Sequence, residues 1–597
     1  LPDTHAVHYH VAVSSVAGHY FHVSQTIYQP TPQGQKLTLP AWIPGSYMIR
    51  DFAKNIVSIQ AYDSDNNRLD IEKLDKQSWQ VAATAGLLRV ETLIYAFDLS
   101  VRSAFISDEY AFFNGTSVFL QAVGVDGSIS VDITIPTEKA LTWQIATALK
   151  QTSSNDITKQ FSAKDYTQLI DQPVVIGNLT AHQFELEGVT FEFVLAGDNL
   201  ADVPRICQDL KKICLHHLHL FSPPCPVDRY VFITLLCENG FGGLEHMDST
   251  VLQYARHALP SEHEKGKVSD EYRTFLSLCS HELFHTWHVK RTKPQAFIDM
   301  QLSAEVYSEQ LWIYEGFTSY VDDISLLRTK LIDENSYLEL LGQTLTRLAR
   351  NPGNTKQTVT ESSFDAWTRF YQQDASAANN IVSYYAKGCE IALCLDLKMR
   401  LGSQHKYTIF DLIDKLWQEF GSQSIGTQNN SIQYLLDKHF DLDLDAFLQD
   451  ALYSTKALPT DILLREFGVK LIYRPRNNGS DKGGKPADDH LKVDFGAMTS
   501  AQPTGVKITQ VIENSTSYIA GLQVGDIVIA IDNWQIQQQN LHAILDKQAF
   551  NKIVPVHLLR EGKLTELKLS IQPAKRDTVY LQIIDEQKAH AWLGQSE

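Results

Sequence analysis

The 597-residue chain has no CxxC pair and only seven cysteines, Cys207, Cys214, Cys225, Cys237, Cys279, Cys389 and Cys394. An odd count without paired spacing argues against a disulfide framework and against a cysteine zinc site. No apolar run reaches the ~18 residues of a membrane span. The longest candidate, Tyr230 to Cys237, reads as a buried strand instead. Positive charge is in deficit, with 52 Lys and Arg against 70 Asp and Glu and a net charge of −18. Such a surface repels phosphate, so nucleic acid is not an expected partner, whereas cationic ligands such as free amines are tolerated. A nucleophile elbow and a phosphate loop are missing as well. With 44% hydrophobic and 20% charged residues the chain has ordinary globular composition, which excludes whole-chain disorder. Reduced thiols fit the cytoplasm. No basic-then-apolar leader begins at Leu1, and one removed ahead of it would point to the periplasm or the exterior instead.

The chain reads as a multidomain α+β protein. Residues 1–172 carry alternating or β-branched runs, among them His8 to Val13, Tyr20 to Tyr28, Leu88 to Leu99, Val118 to Val123 and Ser130 to Ile135, separated by turn clusters. They predict a β-sandwich-like domain. Residues 173–334 mix strands with long helical stretches, Asp270 to about Lys290 and Ala304 to about Leu331. Residues 335–465 look almost wholly helical, and residues 466–575 return to β, leaving 576–597 as a C-terminal tail.

The strongest signal is His281-Glu282-Leu283-Phe284-His285, in a helical run with apolar positions at Tyr272, Phe275, Leu276, Cys279 and Leu283. Residues four apart share a helix face, so two neutral imidazoles can grip one zinc ion, with Glu282 between them as general base toward a water. Histidine is 21 of 597 residues, so an accidental HExxH is expected only about 0.04 times in a chain of this composition. A zinc hydrolase also needs a third protein ligand. Glu315, in the apolar run Leu311-Trp312-Ile313-Tyr314-Glu315-Gly316-Phe317, is the candidate, because a carboxylate buried there is costly unless it is paired or metal-bound. Gly316 costs ~1 kcal/mol inside a helix, and a close approach of the HExxH helix would explain it. Ser319 and Asp322, one and two turns on, are candidates to orient a ligand. His216-His217-Leu218-His219 lacks an acid or cysteine at ligand spacing and reads as a partly exposed helix end.

HELFH followed by LWIYEGFTSY resembles the gluzincin peptidases, aminopeptidase N and its relatives. The long gap between His285 and Glu315, with Thr286-Trp287 and Val289-Lys290-Arg291 in it, resembles the glycyl aminopeptidase family of PDZ-bearing zinc peptidases. Its members usually have Asn at the place of His288, which we read as non-ligating. The resemblance implies a thermolysin-like catalytic domain over residues 173–334, a zinc cofactor held by His281, His285 and Glu315, and catalysis by Glu282. Gly242-Gly243-Leu244-Glu245-His246 resembles the GxMEN segment, which implies that Glu245 holds the substrate's α-amine. Gly242 and Gly243 would let an extended peptide add to an edge strand. His246 stands where the family has Asn. Tyr384-Tyr385-Ala386-Lys387-Gly388 resembles the YxKG segment, which carries the oxyanion-stabilising role to Tyr385 in the helical subdomain. Trp42 to Arg50 also matches the family, with no chemical role beyond packing. Ala520-Gly521-Leu522-Gln523-Val524-Gly525-Asp526 resembles a PDZ segment, and that C-terminal module either binds a peptide or packs on the catalytic domain. The expected activity is release of N-terminal residues from peptides, with Gly or Ala implied by the family. The alternatives are a zinc endopeptidase that recruits chains through the PDZ module and a catalytically idle scaffold.

Overall fold

The computed structural model describes residues 5–264, 266, 268–487 and 492–594. The chain forms two compact units, residues 1–306 with 416–427, and residues 307–415 with 428–597.

The first unit begins with an eight-stranded sheet. At its centre Val7–Ser15 pairs with Tyr20–Ile27 on one side and Ile129–Thr134 on the other. Val7, Tyr9, Val11 and Val13 point inward, as the period of two requires. Their core is shared with two smaller sheets, through Leu37, Trp79, Phe112 and Val175 among others. The expected strand Val118 to Val123 is instead a helical turn, Gly115–Val118, and a two-residue strand, Gln121–Ala122. The Leu120 carbonyl between them accepts from the Tyr9 hydroxyl at 2.6 Å and the Gln25 amide at 3.0 Å. Side chains thus satisfy a backbone group that a ladder would otherwise have served.

A five-stranded sheet follows, in the order Leu179–Leu186, Val189–Ala196, Arg229–Cys237, Ser249–Ala255, Phe241–Glu245. Arg229–Cys237 has parallel neighbours on both sides and is buried throughout, save its first residue. That explains its unbroken apolar sequence. Phe241–Glu245 is the edge strand. Helices Val203–Leu220 and Asp270–Phe284 belong to the same unit. The second is capped by Ser269, whose hydroxyl accepts from the Tyr272 amide at 3.1 Å.

The second unit is helical first. Glu315 lies not within a long helix but at the junction of Leu311–Tyr314 and Gly316–Arg328. Gly316 is indeed at a close approach, yet its partner is Gly388 on helix Tyr384–Gly402 rather than the HExxH helix. A Cβ on Gly388 would lie 2.5 Å from the Trp312 carbonyl oxygen and 2.7 Å from the Gly316 Cα. The C-terminal part is a sheet in the order Ala497–Gln502, Gly505–Val511, Ile527–Ile531, Ile553–Arg560, Lys563–Ser570. The segment read as a tail is built in. Thr578–Ile583 pairs with Val469–Arg474, and Trp592 donates to the Tyr320 hydroxyl at 3.1 Å, beside the Asp396–Arg400 ion pair. Among the described residues no helix is long and apolar enough to cross a membrane.

Gly388→Ala should destabilise the protein by ~1–3 kcal/mol, the usual cost of overpacking. The check is the thermal midpoint by circular dichroism. An unchanged midpoint would mean that the two helices have room for a methyl group.

Candidate metal centre and peptide edge

The HExxH helix supplies His281, Glu282 and His285 from Asp270–Phe284 and the residue that caps it. The two imidazole rings are 4.7 Å apart, centre to centre. Nδ1 of His285 donates to the His288 carbonyl at 2.8 Å. A carbonyl can only accept, so that nitrogen carries the proton and Nε2 keeps its lone pair for a ligand bond. This gives position 288 a use through its backbone, whatever its side chain. Beneath the helix His217, fully buried, shares a 2.9 Å hydrogen bond with the Ser280 hydroxyl, and burial lowers its pKa well below the ordinary histidine value. It is a neutral core residue, not the partly exposed helix end the sequence suggested. His219 is exposed and lies 2.6 Å from Glu187.

The edge strand Phe241–Glu245 ends on Glu245, which is 4% exposed. Ligand atoms of Glu245, Glu282 and His285 all lie within 4.8 Å of one another. A Cβ on Gly243 would overlap the Glu282 carboxylate, so glycine there is a condition for the general-base candidate to sit beside the strand. A Cβ on Gly242 would meet only Val101 Cγ2, at an ordinary contact distance of 4.0 Å. Two carboxylates and an imidazole this close, each nearly removed from water, call for cations. A divalent metal on the imidazole and an ammonium on Glu245 both fit that donor chemistry.

Asp171, which sequence reasoning missed, holds this corner in place. Its carboxylate accepts from the Met247 amide at 2.8 Å and pairs with Lys290 at 2.8 Å; Nδ1 of His246 is 3.4 Å away. Burial alone would raise the Asp171 pKa, but the Lys290 ammonium and His246 outweigh it and hold the carboxyl well below the usual range. His246 is thus occupied with the acid behind the strand. Asp171 had no signal in the sequence, because its partners are 75 or more residues away.

In the second unit Glu315 is 2% exposed and Tyr384 is fully buried, whereas Tyr385 is half-buried. The two tyrosine rings stack at 4.8 Å. Burial raises the Tyr385 phenol well above its ordinary pKa, with the Glu315 carboxylate as the next cause. Ser319 donates its amide to the Glu315 carbonyl at 2.8 Å and accepts the Cys389 thiol at 3.3 Å. Asp322 accepts its neighbour's amide at 2.6 Å.

Asp171→Asn should strand a buried Lys290 ammonium and cost ~3–5 kcal/mol of stability. Adding Lys290→Met should recover most of that loss. Denaturant titration of the two single variants and the double variant checks the pair, and simple additivity of the two losses would mean no coupling.

The chain is similar to known peptidases. The family model described as the Peptidase M61 N-terminal domain matches residues 8–178, and the model described as M61 glycyl aminopeptidase matches residues 274–391. No curated protein matches the chain in sequence. The crystal structure of an aminopeptidase N family protein from Idiomarina loihiensis is 42% identical, with a TM-score of 0.95. The match covers 98% of this chain and 100% of that one. An M1 zinc metallopeptidase from Deinococcus radiodurans is 13% identical, with a TM-score of 0.47, and the match covers 77% of this chain and 95% of that one. On the strength of the first relative and the two family models, the chain belongs to the M61 glycyl aminopeptidase family and is a zinc aminopeptidase.

Proposed function

We propose that the enzyme removes small residues from the N-terminus of peptides, with zinc held by the histidine–histidine–carboxylate set His281, His285 and Glu315. The observation that carries this reading is the convergence of Glu245, Glu282 and His285 within 4.8 Å. It supports a carboxylate that would bind the amine close beside a metal ligand and a general base, as an exopeptidase needs. When bound, zinc supplies Lewis acidity, which lowers the pKa of a water and polarises the scissile carbonyl.

The chain's own residues do the rest. The exposed backbone edge at Gly242 and Gly243 aligns the substrate as an added strand. Glu245 accepts charge-assisted hydrogen bonds from the α-ammonium and so fixes which bond lies at the centre. Glu282 takes a proton from the water as its oxygen adds to the carbonyl carbon. The same carboxyl then gives that proton to the leaving nitrogen as the C–N bond breaks. Tyr385 donates its phenolic hydrogen to the oxyanion, and its partial exposure, against the full burial of Tyr384, favours it for that part. A preference for Gly or Ala is supported by the cavity beside Glu245, which holds only about 20 Å³. We read residues 1–172, 173–334, 335–465 and 466–575 as the N-terminal β domain, the thermolysin-like domain, the helical subdomain and a PDZ-like module, followed by residues 576–597. The six-stranded C-terminal sheet, in which Trp534–Gln535 also pairs with Ile527–Ile531, and its short helices Thr516–Ala520 and Leu541–Leu545 are in keeping with the last domain.

Glu282→Gln should keep one zinc per chain by elemental analysis and lose ~10² to 10⁴ in kcat on Ala-Ala. Loss of the metal, or retained activity, would remove Glu282 from the role of base. Tyr385→Phe should lower kcat by ~10² to 10³, and Tyr384→Phe should do much less; the reverse ranking would exchange their parts.

A further inference from the structure

The segment Trp42-Ile43-Pro44-Gly45-Ser46-Tyr47, read from the sequence as packing alone, lies against Glu245. Gly45 has φ +88°, and a Cβ there would overlap the Glu245 carboxylate, so the loop backbone itself presses on the proposed amine site. Trp42, Pro44, Gly45 and Tyr47 line one side of the 20 Å³ cavity, and Val289, Lys290, Lys293, Phe297 and Met300 line the other, with Glu245 among them. Two hydrogen bonds hold the two sides together. The Ala41 amide donates to the Leu302 carbonyl at 2.7 Å, and the Trp42 indole donates to the Ala304 carbonyl at 2.9 Å. The Tyr47 ring stacks on Phe297 with centres 5.6 Å apart. Trp42, Tyr47 and Phe297 are buried, while Met300 is only half-buried and stands outside any helix or strand.

A cavity of this size has room for one water or one methyl group. A side chain leaving the Cα next to an ammonium held by Glu245 must enter it or turn away. We propose that Tyr47, Phe297 and Met300 are specificity-determining residues that set the largest side chain accepted at the substrate's first position, with Met300 as the movable part of the gate. The loop of the N-terminal β domain is then part of the substrate site. Lys293 adds a sign to the selection. Burial, reinforced by the Lys290 charge, lowers its pKa to about 8 against the opposing pull of Asp171, and an ammonium in the wall disfavours a cationic first side chain.

This inference rests on the aminopeptidase reading, and its test separates the two. The zinc-loaded full-length enzyme and its Met300→Ala and Phe297→Leu variants are assayed on X-Ala dipeptides with X as Gly, Ala, Leu and Phe. A missing methylene's worth of room changes kcat/KM by ~10- to 200-fold, so Met300→Ala should raise the Leu-to-Ala ratio by ~10-fold or more. Phe297→Leu should raise the Phe-to-Ala ratio by a comparable factor. Active variants with both ratios unchanged would overturn the gate and leave the aminopeptidase reading standing. A wild type that cleaves none of the four dipeptides would overturn that reading, and the gate with it.

Discussion

Everything at this site follows from holding two carboxylates, Glu245 and Glu282, beside the imidazole of His285 with almost no water around them. The two negative charges repel, and burial removes the solvent that would screen them. Cations at both ends stabilise such an arrangement. At one end the His285–His288 hydrogen bond fixes the tautomer that would present Nε2 to a metal. At the other stands Glu245, the proposed partner of a peptide's ammonium, at the margin of the small cavity that Lys293 also lines. Opposite demands are thus built into adjacent residues of one pocket. In the proposed mechanism a dication serves where a water loses its proton, and a monocation where the substrate stops.

The surrounding structure serves that crowding. Glycine at 243 lets the edge strand pass over the Glu282 carboxylate, and glycine at 45 lets a loop from the β domain close on Glu245. The Asp171–Lys290 pair ties the turn after the edge strand to the segment that follows the HExxH helix. Ser280 and His217 meet on the far side of that helix and join it to helix Val203–Leu220. In the second unit the glycine contact between Gly316 and Gly388 brings the Glu315 and Tyr385 helices together at the distance of bare backbones.

What could be read in the sequence was what short-range chemistry dictates. HExxH is a helical face in five residues, and Gly242-Gly243 preceding an acid is a strand edge in four. Val7 to Val13 alternates because the sheet has one wet side. The parts that escaped depend on distant partners. Asp171 is an ordinary helix-end acid until Met247 and Lys290 arrive from far down the chain. Trp42 to Tyr47 looks like core until it meets Glu245 two hundred residues later. The break at Glu315 in the helix expected across Ala304 to Leu331 escaped because no local periodicity marks the junction. Val118 to Val123 failed as a strand because the hydroxyl of Tyr9 and the amide of Gln25, rather than a neighbouring backbone, meet its carbonyl.

The central claim is that Glu245 anchors a free amine next to the reacting bond. The most direct measurement compares kcat/KM for Ala-Ala and N-acetyl-Ala-Ala in the wild type and in Glu245→Ala. A charge-assisted hydrogen bond is worth ~1.5–3 kcal/mol, so the substitution should cost the free-amine peptide roughly 10- to 150-fold. The acetylated peptide, lacking the ammonium, should be a poor substrate for both proteins and nearly indifferent to the change. Efficient cleavage of the acetylated peptide by the wild type, or an equal loss on both peptides in the variant, would contradict it.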